Sequence, residues 1–117
     1  MSGKKSTEVR PELAALQARL NASLDAGRSK SVASRHSRGY RTARENLHDL
    51  IDPDSWIEWG QLAIAAQRSR RSVDDLRVAT AADGIITGMA GINARQVGPD
   101  CASTVVIVND YTVLAGT

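Results

Sequence analysis

The feature that most constrains the fold of this chain is an unbroken run of β-branched residues, Val105 to Val108, near its C-terminal end. A strand with one solvated face alternates apolar and polar residues, whereas a continuous apolar run is typical of a strand covered on both faces. The order IITGMAGI, NARQVGPD, STVVIVNDYTVLAG predicts strand, turn, strand, turn and strand, with glycines as punctuation. We therefore predict an antiparallel meander in which Val105 to Val108 is deeply buried.

A first helix is predicted from leucines that recur every three or four residues and so lie on one stripe. Pro11 suits the first turn of this helix, and Gly27 suits its end. The leucines are Leu13, Leu16, Leu20 and Leu24. From Arg28 to Tyr40 the sequence is basic, rich in serine and without a period, which predicts a linker or a loop.

A second helix is predicted to begin at Thr42, because a threonine followed three residues later by a glutamate, here Glu45, forms a capping box. Pro53 helps to end this helix, since the residue before a proline is disfavoured in helical backbone. The segment from Trp56 to Trp59 suits a short strand or an extended hook, and residues 61–82 carry no clear pattern. The predicted fold class is α+β, with N-terminal helices followed by a β meander.

Charge is distributed unevenly along the 117 residues. Residues 1–50 carry ten Lys or Arg against five Asp or Glu, whereas residues 51–117 carry five against eight. The single cysteine excludes an internal disulfide framework and favours a reducing compartment. The apolar runs are too short to cross a bilayer, and no apolar signal-peptide core follows the first lysines. We therefore expect a cytoplasmic chain with no membrane partner.

Residues suited to catalysis or metal binding do not form a recognisable group in the sequence. His36 and His48 are twelve residues apart and Cys101 is distant from both, which is not a zinc or iron spacing. The motifs of nucleophilic hydrolases, P-loop proteins and dinucleotide-binding proteins are absent. We therefore predict no catalytic residue and no metal site, with His48 partly exposed on its helix and Cys101 an inert small residue.

The basic stretch from Arg28 to Arg44 has several uses that the sequence leaves open. Guanidinium groups pair well with phosphate oxygens, so Arg38, Arg41 and Arg44 are candidate phosphate or partner contacts. The phosphates could belong to a nucleotide-like cofactor or to a nucleic acid. The alternative function is therefore a small basic module that binds RNA or protein. A solvated charged surface would have the same composition.

Three blocks of sequence follow one another in the chain: RGYRTARENLHDLIDPDSWIEWG, ADGIITGMAGINARQV and VVIVNDYTVLAGT. In this order and spacing they resemble the start of the carboxyltransferase component of biotin-dependent acyl-CoA carboxylases, over about residues 35–117. The resemblance implies a crotonase-like fold, a spiral of ββα units, of which the chain holds an incomplete opening part. It divides the chain into an N-terminal helix and basic linker, residues 1–40, and the truncated start of the carboxyltransferase N-terminal subdomain, residues 41–117.

The function that the resemblance implies is transfer of a carboxyl group from carboxybiotin to acetyl-CoA or another acyl-CoA. Ala115, Gly116 and Thr117 then help to line the CoA pocket, with a structural role for the rest of the chain. The backbone donors that stabilise the oxyanions come later in the family, so the isolated chain is predicted to be inactive. It is also predicted to bind no cofactor alone and to depend on biotin carried by a partner domain.

The resemblance also implies partners. These are the remainder of the carboxyltransferase, the biotin carboxyl carrier and biotin carboxylase components, and acyl-CoA, whereas nucleic acid is not expected. In the resembled fold, elements beyond this chain cover Val105 to Val108. We therefore expect the isolated chain to present an open strand edge and an uncovered apolar face there.

Overall fold

The computed structural model describes residues 8–116 of the chain. Those residues form six α-helices, one three-stranded sheet and three short 3₁₀ turns, which confirms the α+β class. The helices are α1 (Pro11–Ser23), α2 (Ser29–Ser37), α3 (Ala43–Leu50), α4 (Val73–Ala79), α5 (Ala94–Val97) and α6 (Pro99–Ala102). The strands are β1 (Ile57–Trp59), β2 (Ile85–Gly91) and β3 (Ser103–Asn109). The 3₁₀ turns are Asp25–Gly27, Ala81–Gly84 and Leu114–Gly116.

β2 is the central strand of the sheet and pairs antiparallel with β1 on one side and with β3 on the other. The predicted meander is therefore confirmed, with Met89 of β2 opposite Val105 of β3. The connection from β2 to β3 is not the simple turn that we predicted, because it contains α5 and α6. The Asp52 carboxylate accepts hydrogen bonds from the backbone N–H groups of Asn93 and Ala94, which stabilises the start of α5.

The apolar core lies between α3 and one face of the sheet. Its central side chain is Leu47 of α3, which is 1% exposed. The core residues are Leu47, Ile51, Ile86, Ala90 and Val106. Alternate residues of a strand point to opposite faces, so this helix covers only one face of the sheet.

The prediction that Val105 to Val108 is deeply buried is wrong for this chain. Val106 is buried against the core, but Val105 is 57% exposed and Ile107 is 68% exposed. Within residues 8–116, β3 is also an edge strand of the sheet. The strand ends at Asn109, and the residues after it form a tight turn and then the 3₁₀ turn Leu114–Gly116. The prediction of a last strand after this turn is therefore wrong for residues 110–116.

The linker predicted from Arg28 to Tyr40 is helical over most of its length, as α2, so that prediction is wrong. α2 has no buried residue, and its sequence therefore lacks the apolar period by which helices are recognised. Gly39 ends the helix at a φ of +80°, a left-handed conformation that glycine adopts easily. α1 begins at Pro11 as predicted, but it ends at Ser23, before Gly27.

Two helices begin at side-chain caps. The capping box of α3 is confirmed, since Thr42 Oγ1 accepts from the Glu45 backbone N–H and the Glu45 carboxylate accepts from the Thr42 N–H. The Ser72 hydroxyl accepts from the Asp75 backbone N–H at the start of α4, within the region that had no clear pattern. Leu76 of α4 is fully buried, so this region also contributes to the folded structure.

Candidate functional site

An open cavity of about 480 Å³ lies between α2 and the segment that follows β3. Its lining residues on α2 and at the end of that helix recur at intervals of about four, which places them on one side of the helix. Among the described residues, cations and hydroxyls line the cavity, and no carboxylate does. The cations are Lys30, Arg35 and Arg38, and the hydroxyls belong to Ser31, Ser34, Tyr111 and Thr112. We refer to this space as the basic cavity.

Asp110 holds the segment after β3 against the start of α2. One carboxylate oxygen accepts a hydrogen bond from the Arg28 guanidinium at 3.0 Å, and the other accepts from the backbone N–H and the hydroxyl of Thr112. Arg28 also donates to the Thr112 hydroxyl at 3.2 Å. The side chains of Arg28 and Asp110 are largely buried. One wall of the basic cavity is therefore fixed by contacts within this chain.

The guanidinium of Arg35 is held between two aromatic rings. Its Cζ atom lies 4.6 Å from the ring centroid of Tyr40 and 5.1 Å from that of Tyr111. Its Nε also donates to the backbone carbonyl of Arg41 at 3.0 Å. Cation-π contacts are electrostatic and attract the positive charge to the ring faces. These contacts fix the position of one cation at the wall of the basic cavity.

The three arginines predicted as phosphate or partner contacts have different surroundings. Arg38 lines the basic cavity. Arg41 lies on the surface and pairs with Asp49 at 3.1 Å. Arg44 is buried, and its guanidinium makes two hydrogen bonds of 2.9 Å to the carboxylate of Glu58 in β1. Of the three, the structure brings Arg38 to the cavity, and phosphate binding by these arginines stays a prediction.

The residues predicted to line a CoA pocket lie at the end of the chain. Ala115 lines the basic cavity together with Arg38. Ala115 was named from the family resemblance and Arg38 from its charge, so two residues chosen on different grounds line one cavity. Gly116 is exposed, and Thr117 lies outside the described residues. CoA binding by these residues stays a prediction. The hydroxyls of Ser31 and Ser34 were missed because their segment was assigned to a loop, where spacing along a helix has no meaning. Those of Tyr111 and Thr112 were missed because their segment was assigned to a strand.

A polar cluster connects α2 to the start of α3. The ring of His36, which lies on α2 rather than on a loop, contacts the Glu45 carboxylate of the capping box. The Thr42 hydroxyl also donates to the Asp25 carboxylate. The hydrogen bonds from His36 and from the Thr42 backbone lower the pKa of the Glu45 carboxyl from its ordinary value of 4.5 to about 2. The cluster therefore sets the position of α2, which forms the other wall of the basic cavity.

A second cavity, of about 440 Å³, adjoins the first, since Lys30 and Ser31 line both. Its remaining walls come from α1, residues 27–29, α4, residues 61–64 and residues 81–82, and they are mostly apolar. Arg19, Arg28 and Arg77 are further cations in its lining, in which the described residues include no Asp or Glu. We refer to this space as the apolar cleft. The two cavities together offer an apolar and a cationic surface side by side.

Other candidate groups remain separate from one another. Within residues 8–116, His, Cys, Asp and Glu side chains do not come together in threes, as a metal site would require. Cys101 is an exposed free cysteine on α6, and His48 is exposed on α3. No helix in the described range is long and apolar enough to span a bilayer.

Sequence comparison relates the chain to carboxyltransferase subunits. It is 35% identical, over 106 residues and 91% of its length, to the biotin-dependent long-chain acyl-coenzyme A carboxylase β4 subunit of Mycobacterium tuberculosis. It is 35% identical, over 77% of its length, to the methylmalonyl-CoA carboxyltransferase 12S subunit of Propionibacterium freudenreichii subsp. shermanii. It is 32% identical, over 90% of its length, to the propionyl-CoA carboxylase β chain of Saccharopolyspora erythraea. The matches span 17%, 15% and 17% of these relatives.

Structure comparison gives the same relation. The chain is similar to a single-chain, multidomain long-chain acyl-CoA carboxylase, with a TM-score of 0.91 and 53% identity over 94% of this chain and 11% of that one. It is also similar to transcarboxylase 12S with bound methylmalonyl-CoA, with a TM-score of 0.67 and 26% identity over 96% of this chain and 20% of that one. No family model matches the chain.

The comparisons decide between the two functions that the sequence left open. They give no support to a small RNA- or protein-binding module, and they confirm the resemblance recognised in the three sequence blocks. The matches extend over nearly the whole chain and over a small share of each relative. The chain is therefore homologous to a segment of the carboxyltransferase subunits of biotin-dependent acyl-CoA carboxylases.

Proposed function

We propose that this chain is the N-terminal segment of an acyl-CoA carboxyltransferase and that its basic cavity holds phosphate groups of coenzyme A. The observation that carries the proposal is the lining of that cavity, in which the described residues supply three cations and four hydroxyls and no carboxylate. Phosphate oxygens accept hydrogen bonds from both kinds of group, and the cations offset phosphate charge. The relatives described above carry CoA esters in their names, which fits such a ligand.

The charges of the cavity are arranged for an anion that comes from outside the chain. Arg35 is held in place by two aromatic rings and a backbone carbonyl. Lys30 and Arg38 form no ion pair within the part of the chain that the structure describes. Their charges are therefore available to a ligand, and Arg35 has already lost the side-chain freedom that binding would otherwise remove.

The apolar cleft extends this proposal to the adenosine part of coenzyme A. Adenosine is bonded directly to the phosphates, so its binding surface must adjoin theirs. The apolar cleft does adjoin the basic cavity, through Lys30 and Ser31. An apolar surface suits a flat adenine ring, and the nearby Arg19 and Arg77 suit a phosphate on the ribose.

In this proposal, different parts of the complete enzyme bind CoA and transfer the carboxyl group. This segment binds CoA, while parts of the carboxyltransferase outside it transfer the carboxyl group from carboxybiotin to acetyl-CoA or another acyl-CoA. Biotin is carried by a partner domain, and no residue of this chain is assigned to it. The biotin carboxyl carrier and biotin carboxylase components are the corresponding partners, in the cytoplasm, and the polypeptide outside residues 8–116 completes the crotonase-like spiral.

The test is calorimetric titration of the 117-residue chain with CoA. We expect Arg38→Ala to weaken CoA binding by about tenfold or more, because a hydrogen bond to a charged group contributes roughly 1.5–3 kcal/mol. Arg41→Ala is the matched control, since Arg41 is a nearby surface arginine outside the cavity lining. It should change the affinity by less than about twofold, because exposed ion pairs contribute little.

Two results would contradict the CoA site. One is equal loss of affinity for Arg38→Ala and Arg41→Ala, which would indicate a general charge effect. The other is binding of pantetheine, which has no phosphate group, as tight as that of CoA, since the cavity is proposed to recognise phosphate. Salt supplies a further measurement, because an exposed phosphate site loses affinity as ionic strength rises.

A further inference from the structure

Asp110, the residue that follows β3, contacts residues of both cavities. Its carboxylate accepts a hydrogen bond from Arg28 at 3.0 Å, and Arg28 lines the apolar cleft. The same carboxylate accepts from the backbone N–H and the hydroxyl of Thr112, and Thr112 lines the basic cavity. Asp110 is 8% exposed, so these contacts are largely shielded from water. One buried carboxylate therefore connects a residue of each cavity.

The backbone of Asp110 makes a second connection to the apolar cleft. Its N–H donates to the Gly84 carbonyl at 2.8 Å, and Gly84 ends the 3₁₀ turn whose first two residues, Ala81 and Ala82, line the cleft. Gly84 also packs closely against Val113, since a Cβ atom at Gly84 would lie 3.1 Å from the Val113 side chain. A displacement of this wall of the cleft therefore moves the segment after β3 as well.

Each cavity has an alanine in left-handed backbone in its wall. Ala82, in the apolar cleft, and Ala115, in the basic cavity, both have a φ of +53°. This conformation is unfavourable for a residue with a Cβ atom, and it persists where the surrounding contacts impose it. Asp110 contacts the turn of Ala82 through Gly84 and the turn of Ala115 through Val113, whose N–H donates to the Asp110 carbonyl. The shape of both walls therefore depends on tertiary contacts that Asp110 shares.

We propose that Asp110 is a positioning residue that couples the two cavities, so that adenosine in the apolar cleft and phosphate in the basic cavity strengthen each other's binding. This inference rests on the proposed function and adds how its two subsites act together. A ligand in the cleft restricts Arg28 and the turn of residues 81–84, and through Asp110 it restricts the segment that carries Thr112. Phosphate then binds to a wall that has already lost its freedom, so less conformational entropy is lost on binding.

The charge of Asp110 alone predicts the opposite effect on phosphate. A carboxylate beside the lining residue Thr112 repels an anion in the basic cavity, so removal of its charge would tighten phosphate binding if Asp110 acted only through charge. A positioning role predicts that the same removal weakens binding, because Arg28 and Thr112 lose the group that joins them. The sign of the change in affinity therefore separates the two roles.

The experiment is NMR titration of the 117-residue chain with inorganic pyrophosphate, with and without saturating adenosine. Adenosine carries no charge, so it does not attract pyrophosphate electrostatically. We expect it to tighten pyrophosphate binding by about fivefold or more, and pyrophosphate to tighten adenosine binding by the same factor, since coupling between sites is reciprocal. Adenosine alone should also slow hydrogen exchange of the Thr112 amide, because Asp110, which accepts its hydrogen bond at 2.9 Å, is then held in place.

Asp110→Asn tests the connection itself, because an amide has one acceptor oxygen where the carboxylate has two. We expect it to reduce the effect of adenosine on pyrophosphate binding to less than about twofold and to weaken CoA binding by about fivefold or more. Asp49→Asn is the matched control, since it removes the same charge from an exposed ion pair with Arg41, outside the linings of both cavities. It should leave the coupling unchanged and should not weaken CoA binding. Circular dichroism checks the fold of both variants.

Three results would overturn the coupling. The first, which holds even if Asp110→Asn does not fold, is that adenosine leaves pyrophosphate binding by the wild-type chain unchanged. The others are equal coupling in Asp110→Asn and the wild-type chain, and tighter binding of CoA by Asp110→Asn. Titration with CoA keeps this inference apart from the proposed function. Binding of CoA that depends on Arg38 but shows no coupling rejects the coupling alone, whereas absence of CoA binding rejects the proposed function and this inference with it.

Discussion

The pair of helices α2 and α3 and the three-stranded sheet are stabilised in different ways. Polar side chains fix the two helices, through the cluster of His36, Glu45 and Thr42 and through the rings around Arg35. The sheet is stabilised by its backbone hydrogen bonds and by apolar packing on one face only. The helices are therefore positioned by contacts within the chain. The sheet, in contrast, has one apolar face on which none of the described residues packs a covering layer.

This difference shows which part of the molecule is ready for a ligand. A binding site for a small anion needs cations at fixed positions, and the contacts around α2 provide them before a ligand arrives. An exposed apolar face has no fixed cations and therefore does not select a small anion. It suits a large apolar partner. The two regions meet through the apolar core between α3 and the sheet, and through the buried ion pair between Arg44 of α3 and Glu58 of β1.

The largest effect is expected when that ion pair is broken. Both side chains are 7% exposed, and two hydrogen bonds of 2.9 Å join them. Arg44→Ala would leave the Glu58 carboxylate buried without its partner, so we expect the free energy of unfolding to fall by about 3 to 5 kcal/mol. Urea unfolding followed by circular dichroism measures this change.

Two variants sharpen the interpretation of Arg44→Ala. Arg41→Ala removes an exposed ion pair in the same region and should cost less than about 1 kcal/mol. Replacing both buried partners, as in Arg44→Met with Glu58→Leu, should recover most of the lost stability, since no charge is then left unpaired. A loss of less than about 1 kcal/mol for Arg44→Ala would show that the pair does not join the two regions.

The next effect concerns the start of α3. Thr42 is buried, accepts a hydrogen bond from the Glu45 backbone and donates one to Asp25. Thr42→Ala should therefore lower the free energy of unfolding by about 1 kcal/mol or somewhat more. Ser72→Ala removes the cap of α4, which is exposed and has a single cap hydrogen bond, so its effect should be smaller. Equal effects, or a Thr42→Ala change below about 0.2 kcal/mol, would contradict this ranking.

The sequence predicted the parts of the fold that depend on local chemistry. Thr42 and Glu45 identified the start of α3 because a capping box involves residues three apart in the chain. The strands were found because β-branched runs and glycines mark them. α2 was missed because it buries no apolar stripe, and because Tyr111, whose ring contacts its Arg35, is distant in sequence.

The candidate site was only partly predictable for the same reason. Arg38 and Ala115 were named on separate grounds, but their meeting at one cavity depends on the Asp110 turn, which places residues 111–115 beside α2. The burial of Arg44 was not predictable, because Glu58 lies 14 residues away in a strand. The exposed face of β3 was expected from the resemblance, whereas the apolar run itself favoured burial on both faces.

The smallest effect is expected at Glu45, which connects the two helices. Its carboxyl pKa is lowered from 4.5 to about 2, by the hydrogen bond with His36 first and then by the Thr42 backbone. A carboxyl group whose pKa is lower in the folded state contributes stability above its unfolded pKa and loses it as the pH falls through the folded pKa. The difference in unfolding free energy between the wild-type chain and Glu45→Gln should therefore shrink as the pH falls from about 4.5 toward about 2. Carbon-13 NMR titration of the Glu45 carboxyl measures the same shift directly, and His36→Ala should move its midpoint upward. A midpoint at or above 4.5 in the wild-type chain would show that the cluster does not hold α2 against α3.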